Sequence, residues 1–558
     1  MQRRRIAAGV TCAAACIALA LFARANNANA DGAGNTADAA MNSIRGEAIR
    51  AHMRFLADDL LEGRATGTRG YAIAAEYMAS EFERMGLEPA GDGGGYFQRV
   101  RYRSGQPDEA KTTLTLVRNG KEERLTFRKD FITAADPGRT ESSVEAPVVF
   151  VGDGVTAPEQ NYDDYKGVDA KGKIVALLFQ APNFDSSLKA HYSSFEVKAA
   201  TAVAHGAVGM IVLDDPELEQ IYGYNEQVRD LSFPQLRWLD AQGKPNDYFP
   251  ELKGGAALNM AATKRFFEGT GHTAEEVYAT AKAGKPQAFE TKITAKIRNV
   301  TKLSDVESPN IVAKIEGSDP ELKKEYVVFT SHLDHVGIGE PVNGDKIYNG
   351  ALDNASGSSI LLELARAYQS MNPKPKRTLV FVSVAGEEAG LLGSDYFAHY
   401  PTMPKSAIAA NVNMDEDEML WPLEDIIAFG AEHSSLQSDV QRAAEEMHLS
   451  LSPDPMPEEV VFIRSDQYSF VKQGIPAVFP VPGFKSDDPK INPTEIFKKW
   501  EATRYHQPSD DMQQPGLLWD AAEKYARFVF LTGYLVANDP ERPTWNKGDF
   551  FGEHYGKK

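Results

Sequence analysis

Five groups able to hold or move charge stand out in the second half of the chain, at strand ends and in the loops around them. Ser331-His332-Leu333-Asp334-His335 follows the run 326–330, and Asn349-Gly350-Ala351-Leu352-Asp353-Asn354-Ala355-Ser356-Gly357 opens a helix. The run 379–384 leads into Gly386-Glu387-Glu388, the run 408–412 into Asn413-Met414-Asp415, and Arg504-Tyr505-His506-Gln507-Pro508-Ser509-Asp510 lies in a downstream loop. Neutral imidazole and carboxylate oxygens are ligands that suit zinc, and a catalytic zinc keeps one position open for water. His332 and Asp334 make sense as a unit, because a ligating histidine usually gives its second ring N–H to a carboxylate, which fixes its tautomer and raises its basicity. Each piece alone has an ordinary explanation. A Glu-Glu pair usually belongs to a solvated surface, and an aspartate before a helix is an N-cap. His335 and His433 are read as non-ligands, since His332 already fills that role. The conjunction is what points to a metal centre: the groups follow successive strand ends of one sheet, where function gathers in open α/β folds.

The elements that must position them are legible from periodicity. Apolar strands at 311–315, 326–330, 379–384, 408–412 and 477–481 alternate with helices such as 358–368, which predicts a mostly parallel sheet sandwiched by helices. Upstream, Ile49, Met53, Leu56 and Leu60 repeat at helical spacing towards Gly63. Tyr71, Ala75, Met78, Phe82 and Met85 form a second stripe closed by Gly86. A turn-rich loop, Glu62-Gly63-Arg64-Ala65-Thr66-Gly67, joins them. Between 140 and 290 the runs 148–151, 174–178 and 208–213, with a helix around Lys198, Ala199, Ala200 and Ala204, describe a smaller α/β module. His191 and His205 in it are isolated and read as core or surface histidines. The tail after Asp539 is expected to pack irregularly.

Length and composition set bounds. A chain of 558 residues exceeds one ordinary core, so two domains are expected. Arg3, Arg4 and Arg5 precede the apolar run 6–22 and the small-x-small site Ala28-Asn29-Ala30, the plan of a secretory signal peptide cut after Ala30. The apolar run is short for a membrane span, so no stable membrane insertion is expected after its removal. Both cysteines, Cys12 and Cys16, fall inside it, leaving no disulfide and no thiol catalysis in the mature chain. Losing the four arginines at positions 3, 4, 5 and 24 moves the net charge from −19 to −23, which argues against a nucleic-acid partner.

With these motifs in place, the chain resembles the co-catalytic zinc exopeptidases, the family of bacterial aminopeptidases and glutamate carboxypeptidase II-type enzymes. Residues 139–293 are similar to the protease-associated domain inserted in many members. The resemblance implies a zinc-exopeptidase fold divided as follows: a signal at 1–30, catalytic segments at 42–138 and 294–540, the inserted domain at 139–293, and a tail at 541–558. It implies two zinc ions bridged by Asp353, with His332 and Asp415 completing one and Glu388 and His506 the other. The Asp353-Asn354 bond is expected to be cis. Glu387, beside a ligand but not itself one, would be the general base that takes a proton from a water shared by the cations and delivers it to the leaving amine. Asp334 would support His332. Peptides are the expected substrates, with a secreted or periplasmic aminopeptidase favoured over a carboxypeptidase, a dipeptidase or a non-catalytic binding relative. Glutaminyl cyclase shares the fold but is shorter and usually holds a single zinc. One position departs from the family: Ser465-Asp466-Gln467-Tyr468 carries Gln467 where histidine is usual, which puts the substrate contacts of that loop in doubt.

Overall fold

The computed structural model describes residues 36–417 and 419–556; the expected signal segment, residues 1–30 with both cysteines, lies outside them. Among the described residues no helix is long and apolar enough to cross a membrane.

Alternation along buried strands builds the larger layer. In Tyr326–His332 the side chains of Val327 and Phe329 enter one core and Val328 the opposite one. In Thr378–Val384, Leu379 and Phe381 go one way and Val380, Val382 and Val384 the other. A strand apolar on both faces must be covered on both, and here helices do so. Gly46–Leu56, Arg69–Met85, Gly357–Ser370 and Trp519–Asn538 cover the first face. Leu392–His399, Gln467–Lys472 and the C-terminal helix Phe550–Tyr555 cover the second. Tyr326–His332 runs parallel to Thr378–Val384 on one side and to Ile408–Asn413 on the other, and the latter runs parallel to Ala477–Pro482. Asp425–Phe429 adds antiparallel beyond Ala477–Pro482, and the long strand Phe289–Ile315 lies antiparallel against Thr378–Val384. The sheet is therefore mixed with a parallel centre, as the alternation of elements predicts.

A smaller layer carries parallel strands Glu141–Phe150, Ile174–Leu178, Gly209–Leu213 and Gly255–Leu258. The first half of Phe289–Ile315 pairs into this layer and its second half into the larger sheet, where Phe97–Pro107 accompanies it.

Three expectations about segments change, the last of them in part. The smaller sheet recruits Thr113–Arg118, Lys121–Leu125 and Phe131–Ile132, all upstream of position 139, while Gln235–Trp238 leaves the expected insertion to pair with Phe97–Pro107 in the larger sheet. Pairing partners far away in sequence draw these boundaries, and local periodicity does not report them. The first helix stops at Leu56 rather than running on to Gly63, and Leu60 stands 83% exposed on a short 3₁₀ turn. The tail runs irregularly through residues 540–549, as expected, and then ends in the short helix Phe550–Tyr555, with Phe551 fully buried and the Trp545 indole donating to the Gly474 carbonyl.

Candidate metal centre

The first donor ends the central strand, since His332 is the last residue of Tyr326–His332. Glu387 and Glu388 follow Thr378–Val384, and Asp415 lies two residues past Ile408–Asn413. Because the chain leaves the central strand to one side and then the other, a crevice opens at these carboxyl ends. Asp353 enters it from the loop before Gly357–Ser370, and His506 from the loop after Pro493–Thr503. Asp353 does not cap that helix, which begins four residues later. The Asp353-Asn354 bond is cis.

The five expected donors converge in two groups that share Asp353. His332 Nε2 lies 2.9 Å from Asp415 Oδ1 and 3.4 Å from Asp353 Oδ1. His506 Nε2 lies 2.9 Å from Glu388 Oε2 and 3.3 Å from Asp353 Oδ2. The two oxygens of one carboxylate thus face two different imidazoles. Asp415 is oriented by Ser465, whose hydroxyl donates to Oδ2 at 2.5 Å and leaves Oδ1 for His332.

The donor chemistry fits a cation. His332 Nδ1 is 3.1 Å from the Asp334 carbonyl, which can only accept, so Nδ1 carries a proton. In the neutral ring Nε2 then presents a lone pair to carboxylate oxygens that present lone pairs in return. Such a contact is repulsive unless a cation or a proton lies between. Without a metal the proton takes that place: against the opposing pull of burial, Asp415 and Glu387 hold His332 well above its ordinary range. Glu388 and Asp353 do the same for His506. The partners respond in the opposite sense. Despite burial, the surrounding histidines hold Asp353 well below the carboxylate range and Glu388 at about 2.

Glu387 stands at the edge of this set, with Oε2 3.9 Å from His332 Nε2, and it lines the adjoining cavity. It also falls in an overlapping donor group with His332 and Glu388. Burial, then the nearby Asp415 and Glu388 carboxylates, push its carboxyl well above the usual range against the pull of His332. Asp334 behaves differently from expectation. Its carbonyl, not its carboxylate, is the near partner of His332; the carboxylate oxygen is 3.9 Å from Nδ1 and accepts instead from the Glu387 amide at 3.3 Å. Burial raises it to about 6.

His335 also departs from expectation. Its Nδ1 lies 2.5 Å from Glu388 Oε1 and 3.6 Å from Asp353 Oδ2, so it joins the cluster rather than standing apart. The signal was its spacing three residues past His332 at a strand end. Gly350 makes room for it, since a Cβ there would meet the His335 ring at 2.5 Å. Gln467 is displaced from the role its position suggested. It is fully buried, donates to the Phe462 carbonyl at 2.8 Å, accepts from Asn413 at 3.3 Å, and takes no part in lining the cavity. The supports that sequence reasoning left unassigned are Asp510 and Asn354. Asp510 accepts from the Leu352 and Asp353 amides at 3.0–3.1 Å, and Asn354 donates to Ser331 Oγ and the Met414 carbonyl. His191, His205 and His433 lie outside the cluster: His191 meets the Tyr468 hydroxyl at 2.8 Å and His205 stacks on Tyr165.

The adjoining cavity opens from Asp353, Glu387 and Asp415. Phe429, Phe479, Val481, Phe484, Phe497 and Trp500 form its apolar wall, and Glu416, Asp454, Glu459 and Glu501 its acidic border. Arg464 is the single arginine on the wall, and it donates to the Tyr505 hydroxyl at 3.1 Å and to Glu459 at 3.4 Å. Arg504 instead binds the Ser509 carbonyl.

Fold and donor set define a class: α/β proteins with a carboxylate–imidazole metal centre at the switch point of the sheet. Residues 310–531 match the family model for Peptidase family M28. A probable zinc metalloprotease of Pyrenophora tritici-repentis (strain Pt-1C-BFP) is 39% identical over 106 residues, 19% of this chain and 23% of that protein. One from Pyricularia oryzae (strain 70-15 / ATCC MYA-4617 / FGSC 8958) is 39% identical over 93 residues, 17% of this chain and 18% of that protein. The match thus spans about a quarter or less of these curated relatives. In fold the chain is similar to an aminopeptidase from Aneurinibacillus sp. strain AM-1, with a TM-score of 0.52 at 19% identity, covering 90% of this chain and 96% of that one.

Proposed function

We propose that the protein is an exported exopeptidase that works with two zinc ions and removes single residues from the amino end of peptides. The observation that carries this reading is the split of Asp353, whose two oxygens face His332 and His506 at 3.4 and 3.3 Å, each pole being completed by one further carboxylate. Zinc held by His332, Asp353 and Asp415, and by Asp353, Glu388 and His506, supplies a Lewis acid that polarises the scissile carbonyl and makes a nearby water more acidic.

The chain's own groups do the rest. Glu387, on the cavity side of both triads, accepts the proton of the attacking water at a carboxylate oxygen and returns it to the leaving amine. The Asp334 carbonyl holds Nδ1–H of His332 and so keeps Nε2 available. The apolar wall takes a large terminal side chain and excludes water from it.

The acidic border supports an aminopeptidase over a carboxypeptidase. Glu416, Asp454 and Glu501 suit an α-ammonium, whereas the one arginine on the wall is already engaged by Glu459 and Tyr505. The carboxypeptidase reading retains one supporting feature, the place of Arg464 on that wall.

The deciding experiment offers the zinc-loaded protein an unblocked peptide, its N-acetylated copy and its C-amidated copy. Cleavage that acetylation stops and amidation spares fits the proposal; the reverse pattern replaces it with the carboxypeptidase. For Glu387→Gln the expectation is loss of hydrolysis with zinc content close to that of the parent. Wild-type turnover in that variant would remove Glu387 as the base.

A further inference from the structure

The loop Glu62-Gly63-Arg64-Ala65-Thr66-Gly67 is far from every metal ligand in sequence, 269 residues separating Arg64 from Leu333, yet the fold brings it against the loops that carry them. Glu62, Gly63 and Arg64 all have positive φ, at 51°, 69° and 51°. Gly63 can adopt nothing bulkier there: a Cβ would meet the Tyr348 carbonyl oxygen at 2.3 Å and that of Gly337 at 2.7 Å. This tight left-handed turn sends the Arg64 side chain inward, where it is fully buried.

A buried guanidinium usually meets a carboxylate. Arg64 meets four backbone carbonyls instead. Nε donates to Leu333 at 2.9 Å, Nη1 to Leu56 at 2.6 Å and to Asn349 at 2.5 Å, and Nη2 to Gly350 at 2.9 Å. Leu333 is the residue between His332 and Asp334, and Asn349-Gly350 begins the loop that delivers Asp353. One planar fork therefore spans the two loops that carry the histidine of one pole and the shared carboxylate, and it pins both to the end of the helix Gly46–Leu56.

We propose that Arg64 is a positioning residue for the metal centre: its guanidinium sets the spacing of the 332–335 and 349–353 loops so that the donors stand in place before a cation arrives. Lysine cannot replace it, because an ammonium has no planar fork with which to reach acceptors in two directions. This inference rests on the zinc reading above.

The test compares the zinc affinity of wild type and Arg64→Lys by competition with a chelator. A core variant remote from the site, Val277→Ala, serves as the control for lost stability. Loss of an outer support of this kind weakens metal binding by about 10- to 100-fold. The expected result is a drop of that size in R64K, with wild-type affinity in V277A. Equal affinity in wild type and folded R64K would overturn the role of Arg64 while leaving the zinc reading intact; no zinc bound by wild type would instead sink the zinc reading. If R64K fails to fold, amide exchange on metal-free wild type decides. Leu333, Leu352 and Asp353 should be protected there as they are with zinc. Free exchange that only zinc suppresses would show that the loops are not set in advance.

Discussion

At the residue level, the centre is held by groups that give direction rather than charge. Asp510 is the clearest case. With both oxygens it accepts the amides of Leu352 and Asp353, and its own carbonyl takes the Ala351 amide at 3.1 Å. Replacing it by asparagine turns an NH₂ group towards those donors. For Asp510→Asn we expect folded protein with zinc affinity lowered about 10- to 100-fold, read by chelator competition; an unchanged affinity would remove Asp510 from the support of Asp353. The ligand types were legible because His332, Glu388 and Asp415 come just after apolar strands and Asp353 lies in the segment that opens a helix; His506, in a loop, was placed by its motif. The supports were not: Ser465 acts on Asp415 from 50 positions away and Arg64 acts through carbonyls, which carry no side-chain signature. Asp334 shows the same limit from the other side, since the pattern named the right residue and the wrong oxygen.

Among elements, the helix Ser186–Ser193 of the smaller layer has the most direct effect on the cavity. Its Ser186 hydroxyl donates to Asp454 at 2.5 Å, and just before it Gln180 donates to the Glu458 carbonyl at 3.1 Å. Asp454 and Glu459 both border the cavity. The smaller layer thus braces the cavity wall from behind, without reaching the metal donors. In Ser186→Ala the wall loop loses one anchor. We expect KM to rise a few-fold for peptides with a bulky apolar end residue while kcat and zinc content hold; a fall in kcat at constant KM would contradict this picture. The strands of both layers were readable from apolar runs, because buried parallel strands are continuous in hydrophobicity. Which layer a strand joins was not, as Gln235–Trp238 and Thr113–Arg118 show by crossing the expected boundaries.

Across the whole molecule, His433 ties together three distant regions. Its Nδ1 lies 2.7 Å from Asp549 in the tail and its Nε2 3.3 Å from Glu432, whose carboxylate also accepts from Ser187 of the smaller layer. Although burial opposes the charge, Asp549 and Glu432 raise His433 to about 9. A histidine that holds its proton more tightly when folded adds stability that is complete below about pH 6.5 and disappears as the pH climbs through 9. Its share is up to about 3 kcal/mol. Thermal unfolding of wild type and His433→Gln should therefore differ most near pH 6 and converge by pH ~10; a constant difference would mean that the charge is not what binds these regions. The long strand Phe289–Ile315 has a mechanical meaning of its own. Together with Phe97–Pro107 it runs through the junction of the layers as a two-stranded beam with no loop to bend at. Enzymes that open like a clam need such a joint. Here one strand is hydrogen-bonded into both layers, so bending one layer against the other would have to break the ladders that Phe289–Ile315 makes with Glu141–Phe150 and with Phe97–Pro107.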